Sequence, residues 1–423
     1  MNTETLKEII LEQTEELQQM DSPLIEREQF SSVLKNAPLP HVVTIAGIRR
    51  CGKSTLLLQT MKRLQANSYY CNFEDERFVD FTVNDFNTLY EVFVQLHGEQ
   101  NIFFFDEIQN IPGWERFVRR MYNNGHKFYV TGSNAALLSK EFSTKLTGRH
   151  VTVPLYPFSF NEFLDFHKQK WSKKDFQYTK RRAILLGLFE KYMEEGGMPE
   201  YLKYHNTNVL TEVYNDILYR DIVARYEIKE VKVLRELALY LLSNVATQFS
   251  YNALKKMLQL GSMNTVKSYI EYLENSFLFS TVNQFDYSLK KQQFAPKKIY
   301  CIDTSFINTI AFKHSENEGH ILENIVYMAL RRNKEDIFYY RTEKGKEVDF
   351  LIRKGTKPTL LIQVALNLAS AKTKERELSA LIEAMDEWKM KTGYILTKNT
   401  TDTIKQNGKT IYILPVYQWL LSL

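Results

Sequence analysis

Cysteine is nearly absent from this chain. Only Cys51, Cys71 and Cys301 occur in 423 residues, far apart and with no Cys-x-x-Cys pair, which argues against a disulfide framework or a zinc site and suits a reducing cytosol. No uninterrupted apolar run approaches the ~20 residues that a membrane-crossing helix needs. The opening stretch, MNTETLKEIILEQTEELQQM, reads as an acidic amphipathic helix without the basic start or apolar segment of a secretory leader. The expectation is therefore a cytoplasmic chain with no membrane partner. A strong charge of one sign is also missing. The 55 basic and 50 acidic residues leave a net +5, too mild to demand a nucleic-acid partner, so any basic surface must be local. Internal repeats, low-complexity segments and Gly-, Pro- or Ser-rich linkers are lacking too, and nothing marks a domain boundary cleanly. What is there, 44% hydrophobic and 25% charged residues, is an ordinary globular composition, and the length suggests about two or three domains.

One stretch is specific. In TIAGIRRCGKSTLLLQT, residues 44–60, an apolar strand runs into a glycine-bounded loop and then a helical pattern. The segment from Gly47 to Ser54 fits G-x-x-x-x-G-K-[ST], the phosphate-cradling P-loop. Gly47 and Gly52 permit backbone paths that a side chain would forbid, so the N–H groups of Ile48, Arg49, Arg50, Cys51, Gly52 and on to Thr55 can face a nucleotide at a helix start. Lys53 is placed to reach the β- and γ-phosphates and Ser54 to hold Mg²⁺. The predicted ligands are ATP and Mg²⁺.

A second stretch supplies acids. NIFFFDEIQN is an apolar strand ending in Asp106 and Glu107. Asp106 is the candidate Mg²⁺ ligand and Glu107 the candidate general base for the attacking water. The strand KFYVTGSN is expected between this one and the cradle strand. Its end carries Asn134 as the sensor of the γ-phosphate, with Thr131 and Ser133 as competitors and a simple turn as the alternative. Arg149, in LTGRH just before the last core strand, is either an arginine offered to a neighbouring subunit's nucleotide in a homo-oligomer or a plain surface arginine.

Alternating strands and helices up to residue 158 predict an α/β core with a parallel sheet, preceded by the N-terminal helix. Residues 159–229 read as a helical lid broken at Gly196 to Pro199. Residues 230–298 read as a winged helix-turn-helix: Ser250 caps one helix, Gly261 turns, Ser262 starts the next, and Val266, Ile270 and Leu273 form its buried stripe. Asn264 and Lys267 lie on the opposite face, and the following hairpin carries Lys290, Lys291, Lys297 and Lys298. These are candidate DNA contacts, with an intramolecular lid, a protein-binding module or simple solvation as alternatives. Residues 299–423 return to an α/β pattern.

Together GIRRCGKSTLL, NFEDER, FFFDEIQNIPGWE, VTGSN, LTGR, PLYPFSFNEF and EEGGMPEYL resemble a widespread prokaryotic group of AAA-type ATPases, similar to the STAND-like and archaeal branch, in which a domain of unknown function follows the ATPase. The resemblance implies that Gly197 and Pro199 pack on the adenine. The C-terminal region resembles a restriction-endonuclease-like core, with Glu323 and Asp349 at acidic positions. It departs where Gln363 stands for an acid and Ala365 for the lysine, which implies a scaffold that does not cut. The resulting expectation is an ATP-driven switch or remodeller acting on DNA. The alternatives are a signalling switch that binds protein and, third, an ATP-gated nuclease.

Overall fold

The computed structural model describes residues 1–19, 25–65, 67–133, 148–312 and 318–423. Its contacts group the chain into two compact units, Met1–Tyr156 with Asn275–Phe277, and Pro157–Glu274 with Leu278–Leu423.

In the first unit five strands, β1 (Val42–Ala46), β2 (Tyr69–Asn72), β3 (Ile102–Asp106), β4 (Lys127–Gly132) and β5 (His150–Pro154), form one sheet in the order β2-β3-β4-β1-β5. Every neighbouring pair is parallel. Such a sheet is covered on both faces, and this is why β1 and β3 read as near-continuous apolar runs instead of alternating. The rings of Phe103 and Phe128 stack across β3 and β4 with centroids 4.6 Å apart, and both are fully buried. β4 separates β3 from β1, as expected, so the ends of the cradle strand and the acid strand flank the end of β4.

The second unit begins with helices Phe160–Phe166, Thr179–Glu195, Pro199–Tyr204 and Thr207–Asp216, a π-helical stretch Ile217–Ala224, and helix Val231–Ser243. Helices Tyr251–Met257 and Met263–Asn275 follow, the first capped by Ser250, whose side chain accepts the Ala253 N–H. Val266, Ile270 and Leu273 are buried, as their spacing predicts. A small antiparallel sheet, order β6-β8-β7, joins β6 (Gln248–Phe249), β7 (Phe279–Asn283) and β8 (Lys297–Cys301). Because β8 spans residue 298, a division at 298/299 would cut a strand. Beyond helix Glu318–Arg332 lies a mixed six-stranded sheet of β9 (Asp336–Arg341), β10 (Glu347–Lys354), β11 (Lys357–Ala365), β12 (Thr392–Thr397), β13 (Asp402–Gln406) and β14 (Lys409–Pro415), in the order β13-β14-β12-β11-β10-β9. Helix Ala371–Glu387 buries Ala380, Leu381, Ala384 and Met385, and these join a core with Leu351, Leu361 and Ile395 from the sheet. Among the described residues, no helix is long and apolar enough to cross a membrane.

Candidate active site

The loop after β1 is built on two glycines for different reasons. At Gly47 a Cβ would lie 2.2 Å from the Leu155 carbonyl oxygen, so only glycine lets the two backbones pass. Gly52 has φ +96° and sits immediately before helix Lys53–Leu64, where the left-handed region turns the chain into the helix. Arg50 also has positive φ. Ile48 and Cys51 are buried, Arg49 forms an ion pair with Glu74 at 3.6 Å, and Ser54 is exposed.

Lys53 is almost fully buried. Its ammonium donates to the Ile48 carbonyl at 3.3 Å and lies 3.1 Å from Glu107 Oε1. Burial works against its charge, but Glu107 outweighs that and holds the lysine above its ordinary range. Asp106 and Glu107 are buried at the end of β3. Burial, with repulsion from Glu107, pushes the Asp106 carboxyl up to about 6, although Ser54, Thr131 and Lys53 pull the other way. Burial also acts to raise Glu107, but Lys53, Gln109 and Arg49 overcome it and leave that carboxyl below its usual value. Two adjacent carboxylates are thus driven apart, the pattern that separates a charged base from a more readily protonated neighbour.

Thr131 ties them together. Its hydroxyl accepts the Glu107 N–H at 2.8 Å and donates to Asp106 Oδ1. Thr131 and Ser133 are both buried on or just after β4, and Asn134 lies outside the described residues. Arg149 precedes β5, at the opposite end of the strands from the loop. Its guanidinium donates to Asn123 Oδ1 at 3.1 Å and lies over the Tyr122 ring, so within the chain it is held away from the loop.

Sequence reasoning missed two residues here. Arg27 is buried and donates to the Cys51 carbonyl at 2.8 Å and to the Tyr156 carbonyl. Gln109 donates to Glu107 Oε2. No motif announces Arg27, whereas Gln109 stands in the acid motif itself.

In the second unit the turn before Pro199 is packed tightly. The Gly197 N–H donates to Asp303 Oδ2 at 2.8 Å, its carbonyl accepts the Phe158 N–H at 2.7 Å, and a Cβ there would meet Phe158 O at 2.3 Å. Pro199 opens its helix at the first position. Asn264 and Lys267 are exposed, as are Lys290 and Lys291 on the short helix Leu289–Phe294 between β7 and β8. Lys297 and Lys298 correct the reading of a basic hairpin. Lys297 is half-buried and donates to Asn283. Lys298 is buried, with its ammonium 2.9 Å from Glu323, 2.8 Å from Glu347 and 2.9 Å from Asp349. Successive strand residues face opposite ways, so one of the two lysines had to turn inward.

Glu323, Asp349 and Gln363 do come together. Gln363 accepts the Asp349 N–H at 3.3 Å and donates to Glu377, while Tyr300 donates to Glu323 at 2.7 Å. A cavity of about 580 Å³ opens beside them, lined also by His320, Lys346 and Arg376. The ammonium missing at Ala365 is therefore supplied from β8. It stands between carboxylates that are all engaged by it. Among the described residues, no group of three or more His, Cys, Asp or Glu has the arrangement of a metal site.

Comparison with known proteins gives three matched regions. Residues 40–164 match an AAA domain, 186–317 a domain of unknown function (DUF8612) and 318–419 a second such domain (DUF4143). An uncharacterized protein of Methanocaldococcus jannaschii is 34% identical over 400 residues, covering 90% of this chain and 88% of that one. An uncharacterized protein of Haemophilus influenzae is 28% identical over 419 residues, covering 95% and 100%. Among solved structures, the Walker-type ATPase PABY2304 of Pyrococcus abyssi is similar over 68% of this chain and 96% of that chain, with TM-score 0.40 and 15% identity. The Thermotoga maritima RuvB Holliday junction branch migration motor is similar over 60% and 89%, with TM-score 0.30 and 17% identity. The first unit is a parallel-sheet P-loop NTPase core of the AAA type.

Proposed function

We propose, on the premise that the chain belongs to the family of the Methanocaldococcus jannaschii protein, that it hydrolyses ATP and uses the cycle as a switch or remodeller acting on DNA. One observation carries the hydrolytic part, the convergence of Lys53, Asp106, Glu107 and Thr131 at the ends of β1, β3 and β4. Lys53 would hold the β- and γ-phosphates. Glu107, charged and held by donors, would take a proton from the attacking water. The Ser54 hydroxyl and the Asp106 carboxylate are hard oxygen donors, a sparse set that suits Mg²⁺, which keeps phosphate and water as its remaining ligands. That ion would neutralise charge between the phosphates. The test is Lys53→Ala, which should abolish ATP binding and leave the fold intact. Normal nucleotide affinity in that variant would sink the assignment.

The DNA part draws support from the exposed face of helix Met263–Asn275, where Asn264 and Lys267 lie, and from exposed Lys290 and Lys291. A gel-shift titration over salt tests it, because phosphate contacts give a steep salt dependence. A second reading, binding of a protein partner, is favoured by apolar side chains on the same region: Tyr287, Leu289 and Phe294 are 70%, 73% and 77% exposed. Salt-independent or absent DNA binding, together with unchanged ATPase rate on adding DNA or RNA of several shapes, would move that reading to first place.

A further inference from the structure

We propose that Gln109 is the positioning residue for Glu107, anchoring one oxygen of the catalytic carboxylate while the other is exchanged between Lys53 and the attacking water. This deepens the ATPase reading and rests on it. The two carboxylate oxygens are held by different donors: Lys53 lies 3.1 Å from Oε1 and the Gln109 amide donates to Oε2. Those donors differ in what ATP does to them. The phosphates of a nucleotide in the loop compete for the Lys53 ammonium, because several negatively charged oxygens attract it more strongly than one carboxylate oxygen. Gln109 is neutral and stays. Oε1 is thereby released to accept a proton from water, while Oε2 remains fixed.

The local structure accepts two unfavourable features to make this contact. Glu107 has φ +47°, in the left-handed region that non-glycine residues enter at some energetic expense. Gln109 Oε1 is buried and, among the described residues, has no hydrogen-bond partner, an arrangement that costs stability. Flipping the amide would set its carbonyl oxygen against a carboxylate oxygen, so donation to Glu107 dictates the orientation. The turn that carries Gln109 is itself pinned. The Asn110 N–H donates to the Glu107 carbonyl at 3.1 Å, and the Asn110 side chain donates to the Phe73 carbonyl at 3.1 Å.

Three substitutions in the full chain separate donation from shape. Gln109→Ala removes the donor, Gln109→Glu keeps the shape but offers only acceptors near neutral pH, and Gln109→Lys restores a donor of different shape. Turnover should fall about tenfold to a hundredfold in the first two, the span of a lost hydrogen bond to a charged group. It should return largely in the third. Equilibrium ATP binding, measured without turnover, should stay within about twofold of the parent for Gln109→Ala, so that the loss lies in kcat and not KM. In Glu107→Gln, by contrast, ATP should bind more tightly, because a competitor for Lys53 has gone. Full turnover in Gln109→Glu, while Glu107→Gln is inactive, overturns the positioning role alone. Full turnover in Glu107→Gln removes the base assignment and this proposal with it.

Discussion

Two buried lysines organise the two units of this molecule, and they are solvated by protein in opposite ways. Among the described residues, Lys53 in the first unit pairs with one carboxylate, Glu107 at 3.1 Å, and donates to one backbone carbonyl, with the Asp106 charge also supporting it. Lys298 in the second unit has three carboxylates at 2.8–2.9 Å. In both, burial opposes the charge and neighbouring acids restore it. The difference is in the surplus. Lys53 has a single ion-pair partner among the described residues and lies beside an exposed Ser54, so on the proposed reading a phosphate would replace that partner. Lys298 is outnumbered by acids that are themselves held by backbone and side-chain donors: Asp349 Oδ2 accepts the Val364 N–H at 2.9 Å and Tyr300 donates to Glu323. On the proposed reading, Lys53 is the lysine whose single ion-pair partner a ligand would replace, whereas Lys298 is saturated by its neighbours.

This contrast breaks most visibly at the base. Glu107→Gln should leave ATP bound and lower turnover by about 10²–10⁴-fold, the usual worth of a positioned general base. A single-turnover assay with the purified chain decides it, and an unchanged rate would place the proton acceptor elsewhere.

Next in size, Lys298→Met should destabilise the second unit by about 3–5 kcal/mol, because it leaves the buried Glu323 and Asp349 without their counter-charge. Denaturant unfolding measures this directly. A loss below about 1 kcal/mol, the scale of an exposed pair, would mean that the cluster is a surface pairing and the comparison fails.

The pH response sharpens the same point. Burial, with repulsion from Asp349, pushes the Glu323 carboxyl up to about 8 in the folded protein, although Lys298 opposes the shift. In the unfolded chain it titrates near the ordinary 4.5. Between those values the folded form binds more protons than the unfolded form, so the contribution of this group to stability declines as pH rises from about 4.5 to about 8. Unfolding midpoints of the parent and of Glu323→Gln, followed across that window, should diverge. Parallel profiles would rule the linkage out.

A smaller effect concerns Arg149, held by Asn123 and Tyr122 of the same chain. Arg149→Ala should impair hydrolysis more than ATP binding if the residue serves a neighbour. Mixing it with Lys53→Ala protein should then restore part of the activity. No recovery in verified mixed assemblies favours a surface arginine.

The smallest expected signal is none at all. Gln363 stands where an acid would be needed to hold a metal, and Lys298 is spent on ion pairs with Glu323 and Asp349, so the chain should not cleave linear, circular or branched DNA with Mg²⁺ or Mn²⁺, with or without ATP. Cleavage that persists through purification and vanishes on Asp349→Ala would reverse this expectation.

The legible parts of the molecule are the local ones. The P-loop, the acid strand and the placement of β4 between β3 and β1 follow from motif and strand patterning over short stretches, and the parallel sheet follows from their apolar runs. The buried stripe Val266, Ile270 and Leu273 and the Ser250 cap were equally readable. Arg27 was not, because its partners Cys51 and Tyr156 lie 24 and 129 residues away. Lys298 was misjudged for the same reason, since Glu323 and Asp349 are 25 and 51 residues further on. A lysine beside another lysine looks like a basic surface until alternation along KKIYC is counted. Gln109 was within sight, two residues after Glu107, but side-chain contacts inside a tight turn depend on a backbone angle that no motif records.

Arg27 has a mechanical meaning as well as a structural one. Its planar guanidinium fastens the nucleotide loop at Cys51 to Tyr156, the last residue before the chain enters its second unit. One side chain thus joins backbone carbonyls 105 residues apart in the sequence, both inside the first unit.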